Sequence, residues 1–109
     1  MLRHIALFRL TPETTTDQIE ATMVSLSTLP EQIDVLRKFR FGPDAGITEG
    51  AWDFAVVAVL YNADDYVAYR DHPAHVAVLR DHLAQLISEA ARIQFDSEGE
   101  STPRTLSAG

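Results

Sequence analysis

The chain has 109 residues, enough for one domain, and its mix of 46% hydrophobic and 23% charged residues is that of an ordinary globular protein rather than a disordered or fibrous one. A formal net charge of −7 and a pI near 4.8 set it against a phosphate backbone and against anionic lipid, so neither nucleic acid nor a membrane is an expected partner. The absence of cysteine excludes disulfides, thiolate nucleophiles and cysteine metal sites.

Residues 2–10 read as a strand with Leu2, His4, Ala6, Phe8 and Leu10 on one face and Arg3, Ile5, Leu7 and Arg9 on the other. The charges interrupt this apolar start, so it lacks the core of a signal peptide. The longest apolar run, residues 54–61, is far short of a bilayer span. A soluble, cytoplasmic protein is expected. After the Thr11-Pro12 break, Thr15 and Gln18 fit a capping box, and Ile19, Met23, Leu26 and Leu29 follow at helical spacing until Pro30. Residues 35–41 form a second strand carrying Arg37, Lys38 and Arg40, and residues 42–46 a loop. Residues 52–61 give the strongest strand signal. Asn62 and Asp65 start a short helix to about residue 70, and Pro73 opens a longer one to about residue 89 with Val76, Leu79, Leu83 and Leu86 on one stripe. Residues 92–95 close as a short strand. The polar segment 98–109 reads as a disordered tail after a domain of residues 1–97.

The order β-α-β-β-α-β, with its second crossover split, is the α+β ferredoxin-like arrangement of an antiparallel four-stranded sheet. The first and third strands are then central, and the second is an edge protected by its basic residues. Right-handed crossovers place the helices on one face. Yet the two central strands are apolar on both faces, which leaves the second face as a large exposed patch. A homodimer packed sheet on sheet about a two-fold axis resolves this.

The segment Tyr69-Arg70-Asp71-His72-Pro73-Ala74-His75 carries the chemistry. His72 precedes proline and is held away from helical angles, near the cap of the next helix. His75 falls in the first turn, where the helix dipole disfavours a protonated ring and leaves an imidazole able to accept a proton. The same placement suits a structural histidine. The Tyr69 ring can pack while its hydroxyl reaches out. His4 on its apolar strand face is either a hydrogen-bonded core residue or the polar member of a pocket wall. His82 lies seven residues beyond His75, a poor chelating interval, and no carboxylate completes a ligand set, so no metal is expected. A phosphate loop, a nucleophile-elbow serine and a P-loop lysine are all missing.

Three pieces of the chain resemble the stress-responsive A/B-barrel family, Dabb: the first strand, the apolar third strand leading into Asp65-Tyr66-Val67-Ala68-Tyr69, and His72-Pro73-Ala74-His75 with its helix and the closing Arg92-Ile93-Gln94-Phe95-Asp96. The likeness spans residues 2–97 and implies a dimeric α+β barrel. In plant polyketide cyclases of this family, which need no cofactor, a histidine matching His75 is the base, a tyrosine matching Tyr69 is its partner, and a first-strand histidine matches His4. A further histidine falls at Phe54 here, which removes a polar group from the pocket. The resemblance thus implies His75 and Tyr69 as catalytic residues, base and oxyanion donor, with His4, Phe54, Trp52 and His72 as binding residues. Three readings follow. The chain is a dimer that binds a small hydrophobic or aromatic carbonyl compound, a cofactor-free cyclase or related lyase or isomerase, or a stress-linked structural dimer with an incidental pocket.

Overall fold

The computed structural model describes residues 1–97; the tail expected at 98–109 lies outside the described residues. Four antiparallel strands form one sheet in the order β2-β3-β1-β4. They are β1 (Leu2–Leu10), β2 (Lys38–Pro43), β3 (Phe54–Leu60) and β4 (Ile87–Asp96). The first crossover carries α1 (Thr16–Ser27) and α2 (Leu29–Gln32), and the second carries α3 (Ala63–Asp71), α4 (Pro73–Asp81) and a 3-10 turn (Leu83–Gln85). This is the ferredoxin-like fold, with β1 and β3 central and β2 on an edge.

The register pairs Phe8 with Phe54, Ala6 with Val56 and His4 with Ala58. These side chains share one face of the pleat. They meet Leu26 and Leu29 from the first crossover and Tyr69, Val78 and Leu83 from the second in a single buried core.

The capping box at α1 forms as expected. The Thr15 hydroxyl accepts from the Gln18 amide at 3.2 Å, and the Gln18 side-chain oxygen accepts from the Thr15 amide at 2.8 Å. Several boundaries differ from the expected ones. Helix α1 ends at Ser27, and Pro30 sits in the opening turn of α2, where its missing N–H removes no helical bond. Buried Leu29 and Ile33 fix that corner. Strand β2 begins at Lys38 and continues through Gly42 and Pro43, which were expected in a loop; an edge strand tolerates a terminal proline.

The largest correction is at the other end. Helix α4 stops at Asp81 rather than near residue 89, and β4 starts at Ile87 rather than Arg92. The ladder to β1 takes residues 87–96, and the Thr11 amide donates to the Leu86 carbonyl at 2.8 Å just ahead of it. Tertiary pairing thus overrides the helical propensity of Glu89, Ala90 and Ala91. Of the expected stripe, Leu83 and Leu86 are buried and Leu79 packs against the core, whereas Val76 is exposed and Val78 is buried in its stead.

The other sheet face carries Ile5, Leu7 and Val57, with Ile93 and Phe95 at 58% and 41% exposure. The helices all pack on the opposite side. Among the described residues no helix is long and apolar enough to cross a membrane.

The capping box makes a direct prediction. Thr15→Ala removes one of its two reciprocal bonds and should lower unfolding stability by about 1 kcal/mol in urea denaturation, with an unchanged m-value.

Candidate functional site

A cavity of about 320 Å³ lies between the sheet and α3, α4 and the 3-10 turn, at the small end of the range for ligand pockets. Its walls are mostly apolar, with Ala6, Phe8, Val56, Val78 and Leu83 among them. Polar groups enter from four elements: His4 from β1, Tyr66 and Tyr69 from α3, His75 from α4 and Arg92 from β4.

Local sequence rules build this corner. Asn62 caps α3, its side-chain oxygen accepting from the Asp65 amide at 2.9 Å. Tyr66 and Tyr69 then lie one turn apart on the same helix face. The helix ends because His72 precedes Pro73 and adopts extended backbone, φ −62° and ψ 134°. The His72 ring turns back, and its Nδ1 accepts from the Ala74 amide at 3.0 Å, capping α4.

That sharp turn folds the start of α4 against the end of α3. His75 Nδ1 comes to 2.9 Å from the Arg70 carbonyl oxygen. A carbonyl only accepts, so Nδ1 carries the proton, and Nε2 of the neutral ring keeps its lone pair. The Tyr69 and His75 rings lie 4.3 Å apart, tilted by 40°. Tyr69 is 2% exposed and meets Phe39 edge-on. Its hydroxyl has no hydrogen-bond partner among the described residues, and no enclosed polar side-chain atom lacks one, so the hydroxyl opens on the cavity.

His4 faces this pair across the cavity, its ring 4.8 Å from Tyr66 and 6.3 Å from Tyr69. The Gln94 side-chain amide donates to His4 Nδ1 at 2.7 Å. The proton of the neutral ring is then on Nε2, a donor.

Burial sets the protonation states. It pushes His4 down to about 4, with the His75 and Arg92 charges adding to the effect. Burial also lowers His75, opposed in part by the Arg70 carbonyl and the Asp71 carboxylate. It raises the Tyr69 hydroxyl. For His75 the direction agrees with the helix-dipole argument, but the main cause is desolvation. Near neutral pH the cavity therefore presents two neutral imidazoles and a protonated phenol.

Of the residues singled out in the sequence, His4, Tyr69 and His75 meet at this cavity. Phe54, Trp52 and His72 do not line it. Phe54 is buried in the core, Trp52 lies beneath the Arg9 guanidinium at 4.4 Å in the loop before β3, and His72 is occupied as a cap. Phe54 and Trp52 instead border a shallow hollow beside Gly42 and Pro43. Tyr66, Gln94 and Arg92 were missed. Helical spacing from Tyr69 could have found Tyr66; Gln94 and Arg92 are placed only by the strand register. Among the described residues, no three His, Asp or Glu side chains converge as a metal site requires.

The model of the stress responsive A/B barrel domain, Dabb, matches residues 2–98. The chain belongs to the Dabb family. A dimeric ferredoxin-like protein of unknown function from Thermobifida fusca is 44% identical, covering 86% of this chain and 88% of its own, with a TM-score of 0.80. A dimeric protein of unknown function and ferredoxin-like fold from Bacteroides fragilis is 29% identical over 87% and 94% of the two chains, TM-score 0.72. The hydroxynitrile lyase of Passiflora edulis has the same fold, with 14% identity over 94% and 96% of the chains and a TM-score of 0.77. No curated protein matches the chain. Within this Dabb domain, the cavity walls come from β1, β3, β4 and the split second crossover, with Leu26 of α1.

The lowered His4 value gives a pH prediction with a defined sign. The unfolded ring, near 6.5, takes up a proton before the folded ring does. Stability is therefore full above that value and is lost as pH falls toward about 4. Chemical denaturation should show a loss of about 2 kcal/mol between pH 7 and pH 5, and His4→Gln should reduce it. A flat profile in the wild type would contradict a buried, neutral His4.

Proposed function

We propose that this Dabb protein acts as a homodimer, paired through its apolar sheet face, that binds a small hydrophobic or aromatic carbonyl compound in the cavity between sheet and helices. The observation that carries this reading is the set of ring and hydroxyl atoms around one apolar volume: His75 Nε2, His4 Nε2 and the Tyr69 hydroxyl, none with a partner among the described residues. A lone pair and two donors around apolar walls suit a ligand whose oxygen atoms interrupt a hydrocarbon body. Relatives described as dimeric support the pairing. So does the patch of Ile5, Leu7, Val57, Ile93 and Phe95, which a soluble monomer would leave in water.

Catalysis is the second reading, and the His75 tautomer favours it. With Nδ1 held by the Arg70 carbonyl, Nε2 is a fixed base. It would take a proton from the carbon beside the ligand carbonyl, giving imidazolium and an enolate whose oxygen accepts from the Tyr69 hydroxyl. A positioned base and a donor where charge develops are the two parts such a step needs. The fold of this chain also serves a hydroxynitrile lyase, so it is compatible with an enzyme.

Native mass spectrometry of protein purified from its own host tests the binding reading. The expected result is a dimer that retains a small-molecule mass, lost or reduced in Tyr69→Phe. A dimer without bound mass, together with a lower thermal midpoint for His75→Ala, would favour the purely structural alternative. For catalysis, His75→Gln keeps a donor for the Arg70 carbonyl but offers no base; turnover of a substrate found in this way should fall about 10²- to 10⁴-fold with the fold intact.

The dimer has its own test. Ile93→Glu places a charge on the apolar face and should shift the sedimentation coefficient from dimer to monomer at micromolar concentration. A wild-type monomer, or a variant that stays dimeric, would exclude pairing through this face.

A further inference from the structure

Two arginines border the cavity, and they differ in one respect. Arg70 is committed to the Asp71 carboxylate, with nitrogen–oxygen distances of 2.8 and 3.0 Å. Arg92 makes no hydrogen bond, ion pair or ring contact with any described residue. Most other arginines have visible work. Arg9 covers Trp52 and Arg37 covers Tyr61, Arg80 pairs with Asp81, and Arg40 bonds to a backbone carbonyl.

The register explains how Arg92 reaches the cavity. It stands opposite Ala6, as Gln94 stands opposite His4, so both are on the helix-covered face of β4. Ala6 is small, and the guanidinium is close enough for its charge to contribute to holding His4 neutral. Arg92 is exposed while His4 and Tyr69 are buried. Among the described residues, the cavity thus has an apolar, uncharged interior and one unpaired cation at its edge.

We propose that Arg92 is the specificity-determining residue of the cavity and docks a carboxylate, so that the ligand is an organic acid with an aromatic or short apolar body. This rests on the binding reading above and names the substrate class. The planar guanidinium presents paired N–H donors that match the two carboxylate oxygens. The apolar body then lies inward against Ala6 and Val78, and the anionic head stays at the wet edge of the sheet. Its desolvation is incomplete there, which is why a cation at the mouth serves where a buried one would be strongly penalised.

Calorimetric titration at pH 7 with two neutral-bodied probes of the same shape, 4-propylbenzoate and 4-propylbenzamide, separates the possibilities. The wild type should bind the carboxylate roughly ten- to a hundredfold more tightly than the amide. Arg92→Gln should abolish that preference, and Arg92→Lys should retain part of it. Because Arg92 is exposed and has no partner among the described residues, both variants should melt with the wild type. Equal binding of the two probes by the wild type, or a preference that survives in Arg92→Gln, overturns the carboxylate assignment and leaves the cavity reading standing. Binding of neither probe by the wild type overturns both.

Discussion

Strand β1 pairs with β3 along one edge and with β4 along the other, so its alternation is imposed on the whole sheet. His4, Ala6 and Phe8 face the helices, and Arg3, Ile5, Leu7 and Arg9 face away. A slip of one residue would exchange the two sets, expelling Phe8 from the core and carrying Arg9 into it. The same register that buries the core therefore decides what lines the cavity. It also decides what remains for a second copy to cover. Neither face can be altered without regard to the other, because they are the odd and even positions of one strand.

Against that fixed sheet, the site depends on a single restriction of the backbone. Proline at 73 forces its neighbour out of helical angles, and the second crossover divides into α3 and α4. An unbroken helix through this segment would direct Tyr69 and His75 to different sides, since six residues advance well past a turn. The break brings the rings to 4.3 Å instead. His75 also satisfies a carbonyl at the end of α3 that would otherwise lack a helical partner. The ring that offers a base to the cavity thus serves the fold as well. The two roles use different nitrogens.

What could be read from the sequence was set by the range of the interaction. The Thr15–Gln18 capping box, the Asn62 cap and the Pro73 break depend on residues within three or four positions, and each appears where expected. The apolar alternation of β1 and β3 was equally plain. The end of α4 was not, because Glu89, Ala90 and Ala91 are good helix formers whose fate is decided by pairing with β1, some eighty positions earlier. For the same reason Gln94 and Arg92 were invisible as site residues. Nothing near them in sequence indicates that they stand beside His4 and Ala6. Trp52 and Phe54 failed differently. Phe54 opens the right strand and Trp52 lies in the loop before it, so distance along the strand separates both from the residues around His4.

The electrostatics of the cavity follow from burial more than from any ion pair. In a chain of formal net charge −7, an interior lined by histidines could have become a cationic site balanced by carboxylates. Among the described residues, no carboxylate borders this cavity. Desolvation instead drives His4 and His75 toward neutral rings and keeps the Tyr69 hydroxyl protonated. The interior then holds hydrogen-bonding groups without a fixed charge, and its full positive charge sits at the rim on Arg92 and on the already paired Arg70. Such a division lets an apolar ligand enter without stripping water from a buried ion, while the rim orients whichever end carries charge. It also keeps His75 able to receive a proton, because a second imidazolium nearby would repel the one that forms.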